Sequence, residues 1–445
     1  MNTPLADFLE EHIRQGISRF YMPGHKGNFP DPLLREISRY DVTEMNGADS
    51  LFEPEGVLLE SEETTARLYG TRHTSFSAGG STLGIQTMLA LSCRPGDTVL
   101  AARNAHRAFI NTCALLDLRP VWIRPDYNDR FGVSGEVSPQ AIAEALTAHP
   151  EARVVYLTSP DYLGCISDIA GISAVCRQAS VRLLVDNAHG AHLRFLPEDL
   201  HPITLGADLC CDSAHKTLPV FTGGGYLHVH PDCPVSKEEV KSRMGLFGST
   251  SPSYLILLSL DLNNRYLAGP ARDDFAGLVR EVEGLYQLAG QKGFAPLSSR
   301  TDPTKMTLDA YAAGWRGKEL AAWFRERKLE CEYAAERHVV FMLSPQNTVE
   351  DLERFRQALK ELPQKPSLEA EAGRFSIPEA VLPVREAAFA PKERVPVEKA
   401  LGRIAGETRI KCPPGVPILV AGEKIDHTLQ KLLKKSSISS LDVLK

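Results

Sequence analysis

Ser213-Ala214-His215-Lys216-Thr217, with Gly223-Gly224-Gly225 close behind it, is the stretch of this sequence that decides the fold. It follows the apolar, strand-like segment 207–211, so Lys216 stands in a turn of small and hydroxyl residues at a strand end. A lysine held there can be desolvated and lose its proton, and a neutral amine condenses with an aldehyde. The stretch therefore predicts a strand-end lysine with a chemical role.

An aspartate ends the preceding strand-like segment. Leu183-Leu184-Val185-Asp186-Asn187-Ala188-His189 is typical of a buried strand that closes at Asp186. A carboxylate at one strand end and a lysine at the next suit pyridoxal 5′-phosphate (PLP), because the carboxylate pairs with the pyridinium nitrogen and the lysine forms the Schiff base. A strand-end lysine alone is usually a surface residue, but the combination favours a PLP site.

Length and composition are those of a globular protein with two or three domains. The chain has 445 residues, of which 43% are hydrophobic and 24% charged, and its net charge is -6. This charge, without a dense basic run, argues against a nucleic-acid partner. Because no apolar run approaches about 18 residues and the N-terminus is acidic, we expect no membrane association, no secretory signal and a cytoplasmic location.

The cysteines and histidines do not form a metal-binding pattern. None of the nine cysteines lies in a CxxC motif, and most have apolar neighbours, which indicates buried free thiols. His189 and His192 have suitable spacing for a metal, but no third ligand is apparent, so we expect no metal site.

Strand-like and helix-like segments alternate through the first half of the chain. Strands are predicted at 73–76, 98–101, 121–123, 154–157, 181–185 and 226–229, and helices at 81–92, 105–116, 169–179, 252–267 and 275–289, with one more opened by Ser138-Pro139. This alternation is typical of βαβ units in an α/β fold with a mostly parallel sheet, whose ligands bind at the carboxyl ends of the strands.

The second half predicts a smaller α+β unit. It has strands at 305–311 and 339–343, helices at 317–328 and 349–361, and a last strand after the rigid turn 412–417. The predicted organisation is an N-terminal arm (1–50), a large PLP-binding domain (51–270), a small domain (271–362), and a connector with the C-terminal segment of the small domain (363–445).

Several side chains follow the predicted strands and are candidates for binding a cofactor. The turn 77–82 predicts a phosphate cup in which the Gly80 backbone and the hydroxyls of Ser81 and Thr82 face an anion, although such turns also occur for backbone reasons alone. His106 either lies flat on the cofactor ring or caps a helix. His189 would project near the same ring, and His215 would hold phosphate, move a proton or simply occupy a surface turn.

Six motifs occur in an order that resembles the ornithine/lysine/arginine decarboxylase family, in its short form without an N-terminal regulatory domain. The resemblance covers nearly the whole chain, and the lysine motif is its most specific part. The motifs are Pro23-Gly24-His25-Lys26-Gly27, the Gly79–Thr82 turn, Asp186-Asn187-Ala188-His189-Gly190, Ser213 to Pro219, Ser249-Thr250-Ser251-Pro252-Ser253-Tyr254 and Pro413-Pro414-Gly415-Val416-Pro417.

The resemblance implies an aspartate-aminotransferase-like fold (PLP fold type I), PLP as cofactor, and a homodimer or higher homo-oligomer with shared active sites. It implies decarboxylation of arginine, lysine or ornithine to agmatine, cadaverine or putrescine. The implied roles are a Schiff base at Lys216, a pyridine contact at Asp186, ring stacking at His106, phosphate binding at Gly80, Ser81, Ser213 and His215, and a contribution from the neighbouring subunit by Ser249, Thr250 and Ser251.

Two residues depart from the family pattern. Asn187 stands where many short members have an acid, and its side chain is expected to point away from the ring. Cys412 stands where a tyrosine usually precedes Pro-Pro-Gly, which leaves the preferred substrate open. The acidic partner of the substrate side chain is also open, with Glu407, Asp49 and Glu44 as candidates.

Three other functions are compatible with the same constellation. An aminotransferase would clamp the substrate carboxylate with an arginine such as Arg403 or Arg409. A cysteine desulfurase would need a mobile catalytic cysteine, and neither Cys331 nor Cys412 lies in an obvious flexible loop. A PLP-binding regulator without catalysis would need most of the same residues. Release of carbon dioxide distinguishes the decarboxylase from all of these.

Overall fold

The computed structural model describes residues 2–128, 133–294, 297, 300–369, 377–411, 416–436 and 438–445. The chain forms two compact units, each made from two separate stretches: Met1–Leu91 with Leu184–Ala276, and Ser92–Leu183 with Gly277–Lys445. The predicted domain boundaries at 50, 270 and 362 stay predictions.

The helices of the described residues are distributed over the whole chain. They are α1 (Pro4–Arg14), α2 (Pro32–Arg35), α3 (Val57–Tyr69), α4 (Gly80–Ser92), α5 (Arg107–Leu116), α6 (Pro139–Ala148), α7 (Ile169–Gln178), α8 (Ala214–Thr217), α9 (Lys237–Gly245), α10 (Tyr254–Ala268), α11 (Ala271–Gly290), α12 (Gly317–Glu326), α13 (Val349–Glu361), α14 (Val384–Phe389) and α15 (His427–Lys435).

The strands of the described residues are mostly short. They are β1 (His73–Ser77), β2 (Thr98–Ala102), β3 (Arg119–Ile123), β4 (Tyr127–Asn128), β5 (Val133–Ser134), β6 (Val154–Thr158), β7 (Arg182–Asp186), β8 (Leu209–Asp212), β9 (Gly225–Val229), β10 (Lys305–Asp309), β11 (Tyr333–Ala334), β12 (His338–Met342), β13 (Lys392–Pro396), β14 (Arg409–Lys411), β15 (Val416–Leu419) and β16 (Ser440–Leu444).

The first unit contains strands in the order β1-β9-β8-β7. Strands β7 and β8 are parallel, with Asp186 opposite Cys211, whereas β9 runs antiparallel to both β8 and β1. The β8 residues are all buried, as expected for an apolar strand covered on both faces. Helix α4 lies directly against β8, because a Cβ added at Gly84 would be 2.5 Å from Cys211 Cβ. This packing brings the N-terminus of α4 to the strand ends.

Helix α1 anchors the predicted N-terminal arm to the first unit. Its apolar face buries Leu5 and Leu9, and it packs against α3 and α10. The Asp261 carboxylate on α10 accepts a hydrogen bond from Ala6 N at 2.9 Å. One of the otherwise unsatisfied amides at the start of α1 is therefore paired by a residue 255 positions away.

The second unit contains a parallel group and a smaller antiparallel sheet. Strand β2 pairs in parallel with β3 and with β6, and α5, α6 and α7 connect and follow these strands. The antiparallel sheet has the order β10-β12-β11. At the C-terminal end, β13 pairs with β16 and β14 with β15, and a separate apolar core joins them to α15.

Most of the predicted elements are confirmed, with shifts of a few residues at their ends. The predicted strand 305–311 ends at Asp309 and continues as a 3₁₀ turn. The predicted connector contains α14 and β13. The strand predicted after the turn 412–417 is present as β15, but it is not the last element, because α15 and β16 follow it. The short helix α8 replaces the predicted turn around Lys216. Residues 412–415 lie outside the described residues.

The cysteine prediction is confirmed where the structure describes it. Within the described chain, the eight cysteines are free, and six are buried: Cys113, Cys165, Cys176, Cys210, Cys211 and Cys233. Among the helices of the described ranges, none is long and apolar enough to cross a membrane.

Candidate active site

The predicted phosphate cup is a tight turn at the start of α4. Gly80 has φ +61° and donates its N–H to the Gly223 carbonyl at 2.7 Å. The Ser77 hydroxyl donates to the Gly80 carbonyl at 2.8 Å. These bonds hold the first residue of a 13-residue helix, whose free N–H groups and positive dipole end favour an anion.

The glycine run noted in the sequence is needed for close backbone approach. A Cβ at Gly225 would lie 2.6 Å from the Asp212 carbonyl oxygen and 3.2 Å from the Gly80 carbonyl carbon. Because only glycine leaves that space free, β9 can pass between the end of β8 and the cup. The Gly223 carbonyl then reaches the amide of Gly80.

Two predicted phosphate-binding hydroxyls lie together at this cup. Ser213 Oγ donates to Ser81 Oγ at 2.9 Å, and Ser213 flanks the start of α8 without capping it. The serine at the end of β8 is thereby joined to the first turn of α4, so both hydroxyls are presented on the same side.

His215 is held beside the cup by the glycine run. Its Nδ1 is 2.9 Å from the Gly224 carbonyl oxygen, which can only accept, so Nδ1 carries a proton. A Cβ built at Gly80 would lie 3.7 Å from His215 Cε1. The prediction that His215 lies near a bound phosphate agrees with this position.

Lys216 and His189 are brought into contact. Lys216 Nζ is 3.1 Å from His189 Nε2, although the two residues are 27 positions apart. His189 is buried, whereas Lys216 is exposed. This geometry allows a proton to pass between the amine and the imidazole, an interaction that the sequence did not predict.

Asp186 is the buried carboxylate at the end of β7. Only 1% of the residue is exposed, and Oδ1 accepts a hydrogen bond from Ala188 N at 3.1 Å. The neighbouring Cys211 Sγ lies 3.9 Å from Oδ1. Burial, followed by the negative charge of Asp186, raises the pKa of the Cys211 thiol well above its usual range. The cysteine therefore remains protonated and can only donate to Asp186.

A buried carboxylate that sequence reasoning missed lies behind the site. Asp212 Oδ2 is 3.0 Å from His201 Nε2 and 3.2 Å from His228 Nε2, and Asp212 Oδ1 accepts from Asn187 Nδ2 at 2.7 Å. Burial opposes ionisation, but the two imidazoles lower the pKa of Asp212 well below its usual range. Two features of the sequence could have identified Asp212. It lies at a strand end, and the alternation of side chains along β9 places His228 on the inward face of that strand.

The group formed by His201, Cys210 and Asp212 has metal-like spacing, but its protons are committed to hydrogen bonds. His201 Nδ1 accepts from Ile203 N at 3.3 Å, so in the neutral ring Nε2 carries the proton and donates to Asp212. Burial raises the pKa of the Cys210 thiol well above its usual range. A protonated nitrogen and a thiol are poor metal ligands, so we interpret this group as a hydrogen-bond network.

A cavity of about 290 Å³ opens next to the phosphate cup. Gly79 and Thr82 line one side, and Ser249 and Ser251 of the same chain line the other. Thr250 is exposed. The structure therefore brings two of the three predicted substrate-side residues to the cup within one chain, and their role toward a neighbouring subunit stays a prediction.

His106 belongs to the second unit and is the N-cap of α5. Its Nδ1 accepts a hydrogen bond from Ala108 N at 3.2 Å, so the helix-cap prediction is confirmed. The ring is exposed, and its predicted role against the cofactor stays a prediction.

The three acidic candidates for binding the substrate side chain have other partners. Asp49 accepts hydrogen bonds from Gly56 N at 2.8 Å and Leu58 N at 2.9 Å, at the start of α3. Glu407 accepts from Asp442 N at 2.7 Å and pairs with Arg409 at 2.7 Å. Glu44 is reached by Ser50 Oγ at 3.1 Å. Asp49 and Glu407 thus have local structural roles.

The arginines that an aminotransferase would need form ion pairs, and the described cysteine that a desulfurase would need is a weak nucleophile. Arg403 pairs with Glu393 at 2.6 Å, and Arg409 pairs with Glu407. Burial, followed by the charge of the adjacent Glu330, raises the pKa of Cys331, which keeps it a weakly nucleophilic thiol. Cys412 lies outside the described residues. These contacts favour the decarboxylase over an aminotransferase or a desulfurase.

Comparison with known proteins identifies the family. The sequence profile of the Orn/Lys/Arg decarboxylase major domain matches residues 3–288, and that of the Orn/Lys/Arg decarboxylase C-terminal domain matches residues 379–438. The chain is 30% identical to an arginine decarboxylase of Halalkalibacterium halodurans, over 99% of this chain and 94% of that protein. It is 29% identical to an arginine decarboxylase of Bacillus subtilis, over 95% and 91%.

A solved structure shows the same fold. The Francisella novicida lysine decarboxylase LdcF superposes with a TM-score of 0.85 at 17% identity, over all of this chain and 81% of that one. The predicted α/β architecture with a C-terminal domain, PLP fold type I, is confirmed. The chain therefore belongs to the Orn/Lys/Arg decarboxylase family and is an enzyme that decarboxylates a basic amino acid.

Proposed function

We propose that this protein decarboxylates L-arginine with PLP and releases agmatine and carbon dioxide. The observation that carries the proposal is the contact between Lys216 Nζ and His189 Nε2 at 3.1 Å. His189 lies three residues after the buried Asp186 in the sequence. A strand-end lysine beside an imidazole, together with a strand-end carboxylate, provides the groups that attach and orient the cofactor of this family.

The residues of the first unit fit the chemical groups of PLP. The N-terminus of α4, with Ser81 and Ser213, suits the phosphate dianion, and His215 stands beside Gly80. The buried Asp186 carboxylate suits a protonated pyridine nitrogen. Lys216 is exposed and can reach an aldehyde. When bound, PLP supplies an aldehyde and an electron-accepting ring.

The side chains then control where protons reside. Lys216 must lose the proton on Nζ before it can attack a carbonyl carbon, and His189 Nε2 is placed to accept it. With PLP bound, Asp186 would keep a proton on the ring nitrogen, because a buried carboxylate favours a paired positive charge. Lys216 and His215, which follow the end of β8, are the groups that would return a proton to Cα after decarboxylation.

Arginine is proposed as the substrate because relatives that align over nearly the whole chain carry that name. The two arginine decarboxylases from Halalkalibacterium halodurans and Bacillus subtilis match over more than nine-tenths of their own lengths. The product would then be agmatine, which places the enzyme in polyamine metabolism.

We propose that the enzyme works as a cytoplasmic homodimer or larger homo-oligomer. Phe20 is 96% exposed, and Leu33 and Met22 are also exposed, within the N-terminal segment of the first unit. Large apolar side chains that are exposed within one segment can form an association surface. Covering this segment by a second copy would remove these side chains from water.

The proposal is tested by following carbon dioxide from the purified protein with PLP and, separately, arginine, lysine and ornithine. We expect release from arginine, and loss of at least about 10³-fold of the rate in Lys216→Ala, since the amine that attaches the cofactor is gone. Lys318→Ala, which also removes an exposed lysine, is the matched control and should retain the rate.

Other outcomes identify the alternatives. Release from lysine or ornithine alone would keep the family activity and refute the choice of arginine. Transfer of the amino group to a keto acid without gas would indicate an aminotransferase, and cofactor binding without any reaction would indicate a regulator.

A further inference from the structure

Asn187 and Asp212 form a buried hydrogen bond between two strand ends of the first unit. Asn187 Nδ2 lies 2.7 Å from Asp212 Oδ1, and neither residue is exposed to solvent. The amide must turn its NH₂ toward the carboxylate, because its oxygen would be repelled there. The Asn187 oxygen instead faces Gly190, at which an added Cβ would lie 2.0 Å away.

The two residues flank the groups proposed to bind the cofactor. Asn187 directly follows Asp186 at the end of β7, and Asp212 directly precedes Ser213 at the end of β8. The backbone continues the same connection, since Asn187 N donates to the Cys211 carbonyl at 2.9 Å. A hydrogen bond at this point therefore sets the spacing between the carboxylate end of β7 and the segment that carries Lys216.

The shortest hydrogen bond to Asp212, at Oδ1, comes from position 187. Its other oxygen is shared by His201 and His228, and Cys210 Sγ lies 3.6 Å from Oδ1. Tyr69 and Tyr226 are further ionisable groups of this layer, and their rings are 4.4 Å and 5.6 Å from that of His228. The Asp186 carboxylate lies on the neighbouring strand, next to Cys211.

We propose that Asn187 is a positioning residue. Its neutral amide forms the hydrogen bond between the ends of β7 and β8, called the tie below. This bond keeps Asp186 and the segment that carries Lys216 in place independently of pH. An acid at position 187 would put two carboxyl groups within hydrogen-bond distance, and the tie would then require a shared proton. This inference rests on the proposed PLP site, but the tie itself can be measured without the cofactor.

The first test compares Asn187→Leu with Asn263→Leu by PLP titration and thermal melting. Asn263 is the matched control: it is equally buried, and its side chain donates one hydrogen bond, to Tyr226 Oη at 3.0 Å. Both variants should melt earlier. Only Asn187→Leu should weaken PLP binding, by about tenfold or more, because a buried carboxylate loses a charge-assisted donor. Equal effects of the two variants on PLP binding would overturn the proposal.

The second test uses Asn187→Asp and the reversed pair N187D/D212N across about pH 6 to about pH 9. The ratio of PLP dissociation constants, Asn187→Asp over wild type, should rise with pH as the shared proton is lost. The reversed pair again combines one amide with one carboxylate, so its ratio should not depend on pH. A constant ratio for Asn187→Asp would overturn the proposal.

Failure of the proposed function is recognised separately. If the wild type binds no PLP, the melting temperature of Asn187→Asp relative to wild type is measured over the same pH range. A difference that grows with pH supports the tie, and a constant difference refutes it.

Discussion

The bidentate ion pair between Arg103 and Glu423 gives the sharpest stability prediction. Arg103 Nη1 is 2.6 Å from Glu423 Oε1, and Nη2 is 2.9 Å from Oε2. The two side chains are only 3% and 1% exposed. The guanidinium also lies 4.8 Å from the centroid of the Trp122 ring. Arg103 precedes the turn that ends at His106, and Glu423 belongs to the C-terminal domain matched by the family profile.

The cost of breaking this pair follows from its burial. Glu423→Leu removes the bidentate counter-charge of the buried Arg103, and breaking a buried ion pair in this way typically costs about 3–5 kcal/mol. Replacing both partners, as in R103M/E423L, removes both charges and costs much less, because two apolar side chains need no desolvated partner. The double variant should therefore be more stable than Glu423→Leu alone.

The assay is chemical unfolding followed by tryptophan fluorescence, in which Trp122 reports directly on the arginine. The matched control is Glu330→Ala, which removes an exposed bidentate partner of Arg325 with distances of 2.8 and 2.9 Å. Because water screens this exposed pair, Glu330→Ala should not change the free energy of unfolding measurably. Two results would refute the reasoning. One is a loss below about 1 kcal/mol in the free energy of unfolding for Glu423→Leu. The other is a loss in R103M/E423L that equals the sum of the losses in the two single variants.

Two further predictions concern the first unit. Gly225→Ala should prevent β9 from approaching the Asp212 carbonyl and abolish PLP binding in a spectroscopic titration. Gly284→Ala, whose added Cβ meets no atom within 4 Å, should be tolerated. Normal PLP binding by Gly225→Ala would contradict this prediction. Burial raises the pKa of Asp261 to about 6, so the native state holds the proton more tightly than the unfolded chain. The contribution of Asp261 to the free energy of unfolding should then fall as pH rises from about 4 to about 6, by about 1.4 kcal/mol per unit of pKa displacement. Asp261→Asn should make the slope shallower, and Asp161, whose pKa burial also raises to about 6, accounts for part of what is left. An unchanged slope in thermal melts of Asp261→Asn would show that another group titrates.

The sequence by itself determined the family and the α/β class, and it predicted where the cofactor binds. Local patterns suffice for this, because a buried strand that ends in Asp186 and a hydroxyl-rich turn around Lys216 are each encoded within a few adjacent residues. Strand ends of neighbouring strands meet at one edge, so the site follows from the motifs. The cup, the strand-end aspartate and the short lysine segment were all found this way.

Only the tertiary structure decided which side chains pair across long separations. His189 meets Lys216, Asn187 meets Asp212, and Arg103 meets Glu423 over 320 positions. Periodicity describes the face on which a residue lies, but not which distant residue faces it there. Pairing depends instead on strand register, on the close approach that small residues allow, and on the requirement that a buried charge find a partner.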